Sequence, residues 1–99
     1  MFGKIKDLLE AKGKMEEMKK RLEDMTVTGE SYNGEVIVTA TGGRKITNIE
    51  INQSVLNVRE KHEIENLVLT AVNNALENAD RLMAEEMKHI RPDIPGLGL

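Results

Sequence analysis

From Leu8 to Met25 the apolar residues Leu8, Ala11, Met15, Met18, Leu22 and Met25 recur at alternating intervals of three and four, the spacing of a packed helical seam. Lys and Glu fill most of the other positions. The pattern predicts one helix over the first 25 residues, about 36 Å long at about 1.5 Å per residue, which outgrows a small core. Gly13 costs that helix about 1 kcal/mol relative to Ala and weakens its first half. The period changes at Thr26. Val36, Val38 and Ala40 alternate with Ile37, Thr39 and Thr41, and Ile49 and Ile51 share a face with Thr47 while Ile46 points the other way. Three strands are predicted, at about 26–31, 35–41 and 44–51, with turns at Gly29 to Gly34 and at Gly42-Gly43. Asn52-Gln53-Ser54 offers caps for a short turn at Val55-Leu56, and a second long helix runs from about Glu60 to His89. Its apolar residues, from Ile64 through Leu67, Val68, Ala71, Val72, Ala75, Leu76, Ala79, Leu82, Met83 and Met87 to Ile90, cover about half the circumference, more than a helix on one partner needs. Pro92, Pro95, Gly96 and Gly98 end it.

These elements define an α+β fold of helix, three-stranded antiparallel sheet and helix (αβββα). It forms a single domain over residues 1–91, with a flexible tail at 92–99. Val36, Val38, Ala40, Ile49 and Ile51 form a face that a helix can cover. Ile37 and Ile46, read onto the opposite face, would be exposed in a monomer, so they predict a dimer interface.

Composition narrows the class. Ninety-nine residues with 39% hydrophobic and 31% charged side chains describe a folded chain with one modest core. No apolar run exceeds three residues, far below the length of a membrane span, and no apolar stretch follows the early lysines to make a secretory signal. Without Cys there is no disulfide, thiolate metal site or thiol nucleophile. A cytoplasmic location is expected. Phe2 and Tyr32 are the only aromatic residues, too few for a platform on which unpaired bases stack.

Enzymatic motifs fail on inspection. Gly29 and Gly34 have the spacing that opens a phosphate loop, but Glu35-Val36 stands where Lys and Ser/Thr are required. These glycines read as hairpin residues. Gly42-Gly43-Arg44-Lys45 reads as a hairpin with basic ends. His62 and His89 lie 27 residues apart and share no metal, and His62 with Glu65 makes a surface pair. Glu16-Glu17 and Glu85-Glu86 are solvated helix positions. No catalytic residue, cofactor, small-molecule substrate or metal is expected. Asn73, Asn74 and Asn78 are poor helix formers in mid-helix; Asn73, at the border of the apolar stripe, either bonds a backbone group of a neighbouring strand or subunit or is exposed. Ala71, Ala75 and Ala79 form a row that lets another backbone come close.

Charge pulls in two directions. A net charge of −3 and a pI near 5.4 are unlike the basic footprint of a nucleic-acid binder. Yet the basic residues gather in the first helix, where Lys12 and Lys19 flank one side of the seam and Lys14 and Arg21 the other. Two copies paired through this seam alone would oppose like charges, so the helix prefers an acidic partner. The same residues can also be occupied within their own helix, as Glu10–Lys14, Glu16–Lys20 and Glu17–Arg21 pairs.

Taken together, several short stretches resemble the YbaB/EbfC family of bacterial nucleoid-associated DNA-binding proteins. They are the Met-Phe-Gly-Lys start, the Met/Lys/Glu helix, Val27-Thr28-Gly29-Glu30-Ser31 with Gly34 before Val36-Ile37-Val38, and Ile49-Glu50-Ile51 before Ser54-Val55-Leu56. Glu65-Asn66-Leu67-Val68, Ala71-Val72-Asn73-Asn74-Ala75 and Ile94-Pro95-Gly96-Leu97 follow in order. Asn52-Gln53-Ser54 departs from the Asp-Pro-Ser often found there. The resemblance implies a homodimer whose helices project like tweezers and contact double-stranded DNA. Carried onto this chain, those contacts fall on Lys4, Lys6, Lys12, Lys14, Lys19, Lys20 and Arg21, and on Lys88 and Arg91. The function implied is binding of duplex DNA at the nucleoid, mainly through phosphates and with little base readout. The alternative is a dimeric interaction module whose projecting helices grip a partner protein.

Overall fold

The computed structural model describes residues 2–90. Helix α1 (Phe2–Asp24) leads into β1 (Thr26–Glu30), a single 3-10 turn (Tyr32–Gly34), β2 (Val36–Thr41) and β3 (Ile46–Ile51), followed by a short helix α2 (Gln53–Val58) and the long α3 (Lys61–Ile90). The αβββα order expected from the sequence is therefore present. The turn expected at Val55-Leu56 is a full helix, opened by Asn52, whose side-chain oxygen accepts from the Ser54 amide at 3.1 Å. The tail at 92–99 lies outside the described residues. No described helix is long and apolar enough to cross a membrane.

The strands form one antiparallel sheet in the order β1-β2-β3. Helix α3 lies across β1 and β2, and the core sits between them: Val36, Val38 and Ala40 of β2 against Ala71 and Ala75 of α3, all fully buried. The alanine row is what permits this. Gly29 meets the same stretch of α3, and a Cβ on it would lie 2.1 Å from the Ala75 amide nitrogen. Gly29 is thus a close-approach residue inside a strand, where the sequence suggested a hairpin residue.

The sequence also misassigned Ile46. The β2–β3 register pairs Thr39 with Asn48 but Ala40 with Ile46, so the ladder skips Thr47. One extra residue in β3 inverts the alternation beyond it, and Ile46 packs on the helix-facing core. Ile37 does point to the other face, but its register neighbours there are Glu30 and Glu50, and Thr28, Thr39 and Asn48 surround them. That face is largely polar.

The two outer edges of the sheet are treated differently. Along β1, Asn74 donates to the Glu30 carbonyl at 2.8 Å and Asn78 to the Thr28 carbonyl at 2.7 Å, which satisfies acceptors an edge strand leaves open. The backbone bond considered for Asn73 is made instead by its neighbour Asn74 and by Asn78; Asn73 itself is exposed. At the other end of the sheet, Arg44 of the β2–β3 turn bonds both Asp80 oxygens, so this side of α3 faces β3. Hydrogen bonding and charge from Asp80 raise the pKa of Arg44. Leu76 and Val72 precede Asp80 by four and eight positions and Leu69 lies three before Val72, so all four share one flank of the helix. Leu69 is 58% exposed and Ile49 on β3 is 47% exposed. An apolar margin is left open between α3 and β3.

Candidate nucleic-acid interface

Helix α1 is joined to the rest of the molecule by its carboxy-terminal half. Met18 and Leu22 are buried against Leu82 and Met83 of α3, with Met15 and Met25 at the edge. Gly42 completes the joint: its amide donates to the carbonyls of Leu22 (2.9 Å) and Met25 (3.0 Å), and a Cβ there would collide with Leu22. Leu22 packs by Leu82, and Arg21 reaches Glu86 at 2.9 Å, so α1 and the end of α3 run side by side in opposite directions. Toward its amino terminus α1 loses this support. Leu22 is 1% exposed whereas Leu8 is 70% exposed, with Ile5 and Leu9 similarly open. The heptad seam read from Leu8 to Met25 is a packed seam only in its second half. A projecting arm results, and the molecule measures 66 × 22 × 17 Å along its principal axes.

The basic residues expected to meet DNA divide into three groups on this arm. Lys6, Lys12, Lys19 and Lys20 are exposed and hold no ion pair with a described residue. Arg21 is committed to Glu86, and Lys88 to Glu85 at 3.1 Å. The intrahelical Glu17–Arg21 pair is replaced by this interhelical bridge, because Glu86 is the more enclosed carboxylate, with only 14% of its side chain exposed. Lys14 is half-buried and engaged. The side chain of Lys4 and the whole of Arg91 lie outside what the structure describes.

Groups with other chemistry lie at the opposite end of α3. His62 sits 3.6 Å from Glu60 rather than pairing with Glu65. Glu60, His62 and Glu63 bring ligand-type atoms within 4.8 Å of one another. The first two are exposed and Glu63 is already held by Arg59, so the trio has the make-up of a solvated face. Arg59 also bonds Glu35 at 3.0 Å. Hydrogen bonding and charge from Glu35, then the bond to Glu63, hold its pKa above the ordinary arginine value.

Comparison with known proteins adds the following. Residues 1–94 match the model of the YbaB/EbfC DNA-binding family. The chain is 37% identical over 95 residues to nucleoid-associated protein TTE0040 of Caldanaerobacter subterraneus subsp. tengcongensis, covering 94% of this chain and 86% of that protein. It is 33% identical over 90 residues to a nucleoid-associated protein of Beijerinckia indica subsp. indica, covering 91% and 89%. Its fold is similar to that of the uncharacterized protein HP0035 from Helicobacter pylori, with a TM-score of 0.69 at 18% identity over 84% of this chain and 96% of that one.

Proposed function

The chain belongs to the YbaB/EbfC DNA-binding family, and on that premise we propose that it acts at the nucleoid as a homodimer that binds duplex DNA through phosphates, without catalysis. The observation that carries this reading is the set of exposed lysines without described ion pairs, Lys6, Lys12, Lys19 and Lys20, on an arm that projects from the sheet. A net charge of −3 does not prevent such contact. At about 0.15 M salt the Debye length is near 8 Å, so acidic groups at the far end of the molecule are largely screened from a phosphate at the arm. Part of the nearby acidic charge is also neutralised within the protein, since Glu85 and Glu86 are engaged by Lys88 and Arg21. Lysine ammonium groups on a helix surface give point-charge contacts that release counterions and carry little base information. Lys14, Arg21, Lys88, Lys4 and Arg91 complete the basic rim in a secondary role.

Dimerisation doubles the number of arms and so the number of phosphates within reach. The open margin of Ile46, Ile49, Leu69 and Leu76 between β3 and α3 is the surface best suited to a second copy, since burying each side chain fully is worth about 1.5 to 3 kcal/mol. Ile37, set between Glu30 and Glu50, is the weaker candidate. The test is a variant in which Lys12, Lys19 and Lys20 become Gln. It should stay folded and dimeric, while its affinity for unrelated duplexes falls alike. Wild-type affinity in that variant would move the assignment to a protein partner gripped by the arms.

A further inference from the structure

At the end of the molecule away from the arms, a cleft of about 440 Å³ opens between the β1–β2 turn and the first turns of α3. Glu63 lies about 30 Å or more along α3 from Glu86 at 1.5 Å per residue, so this cleft is separate from the basic rim. Leu67 supplies an apolar wall, Tyr32 stands at the turn with 78% of its surface exposed, and Asn66 adds an amide. Three charges line it, Glu35, Glu63 and Arg59, and they do not balance. Arg59 bonds Oε1 of Glu35 at 3.0 Å and Oε2 of Glu63 at 3.4 Å, leaving one net negative charge. The other oxygen of Glu35, Oε2, is buried and has no hydrogen-bond partner among the described residues. Glu63 lies in the first turn of α3 and meets the positive end of that helix, so the unmatched acceptor is Glu35.

A buried carboxylate oxygen without a donor is costly, and a cationic donor satisfies it best. An aliphatic stem suits Leu67, and an exposed tyrosine ring attracts a cation on its face. We infer that this cleft binds a primary ammonium group carried on an aliphatic stem, held by Glu35 and sheltered by Tyr32 and Leu67. Two sources present that chemistry: a free polyamine and a lysine side chain of a partner polypeptide. The inference does not depend on the DNA-binding reading.

Tyr32 is the only tyrosine and the chain has no tryptophan, so tyrosine fluorescence of the whole protein reports on this cleft alone. Titrations with spermidine and with a short lysine-containing peptide should each give a saturable change, the tighter ligand identifying the source. The same peptide acetylated on the lysine Nζ should give none. Glu35→Gln should weaken binding about tenfold, Glu63→Gln should weaken it less while keeping the Glu35–Arg59 pair, and Glu77→Gln, elsewhere on α3, should leave it unchanged. The inference is overturned if neither amine saturates at low millimolar concentration, if the acetylated peptide binds equally well, or if both Glu35→Gln and Glu63→Gln bind as wild type.

Discussion

Replacing Gly29 with Ala adds one methyl group where strand β1 and helix α3 touch backbone to backbone. The new Cβ would lie 2.1 Å from the Ala75 nitrogen, 2.5 Å from the Ala71 oxygen and 2.6 Å from the Ala75 Cα. None of these atoms belongs to a side chain that can rotate away. Ordinary contact begins near 3.4 Å, so α3 must retreat by about 1.3 Å. That shift would stretch the Asn74 and Asn78 bonds to β1, now 2.8 and 2.7 Å, beyond hydrogen-bonding range. Overpacking costs about 1 to 3 kcal/mol and each lost bond about 1 kcal/mol. Against this, loss of glycine's freedom in the unfolded chain returns up to about 1 kcal/mol. The expected net loss is about 2 to 4 kcal/mol, a large share of the 5 to 15 kcal/mol typical of a domain. Urea titrations at several protein concentrations would measure it, the series being needed because association stabilises a dimer. Gly13→Ala is the matched control: a Cβ there meets nothing within 4 Å in the middle of α1, so it should stabilise by about 0.5 to 1 kcal/mol. A loss below about 1 kcal/mol for Gly29→Ala would refute the close-contact account.

Leu22→Ala should cost about 2 to 5 kcal/mol in denaturant melts, whereas Leu8→Ala, at a position 70% exposed, should cost much less; equal losses would mean that α1 is packed to its start. Asn78→Ala should lose about 0.5 to 1.5 kcal/mol and speed amide exchange in β1, and an unchanged exchange rate would deny the edge-protecting role. Ile49→Asp should shift the molar mass in light scattering from dimer to monomer, while Ile37→Asp should leave it dimeric; the reverse pattern would move the interface to the other face of the sheet.

The order and type of the long elements were legible because the apolar periods are clean: three-four alternation through Leu22, strict alternation through Val36 to Ala40, and the alanine row of α3. What escaped were features fixed by tertiary contact. The β-bulge that reverses Ile46 arises from register with β2, which local alternation does not encode. Gly29 looked like a turn residue because nothing in its neighbourhood reveals that Ala75 lies against it. Of the candidate site, the positions of the lysines were readable from the heptad, but their availability was not. Arg21 was equally compatible with Glu17 in its own helix and with a carboxylate elsewhere, and only the packing of α1 on α3 brings Glu86 to it. The cleft beside Glu35 left no signal at all, since Tyr32, Arg59 and Asn66 are far apart in sequence and unremarkable singly.

The most direct test of the central claim is the salt dependence of DNA affinity for the purified protein on two duplexes of unrelated sequence. Each phosphate neutralised contributes about −0.9 to the slope of log K against log salt. Four exposed lysines on each of two arms, with half or all of them reaching phosphates, predict a slope between about −3 and −7, the same for both duplexes. A slope flatter than about −1, or an affinity that depends on sequence and little on salt, would contradict phosphate binding by the α1 arms.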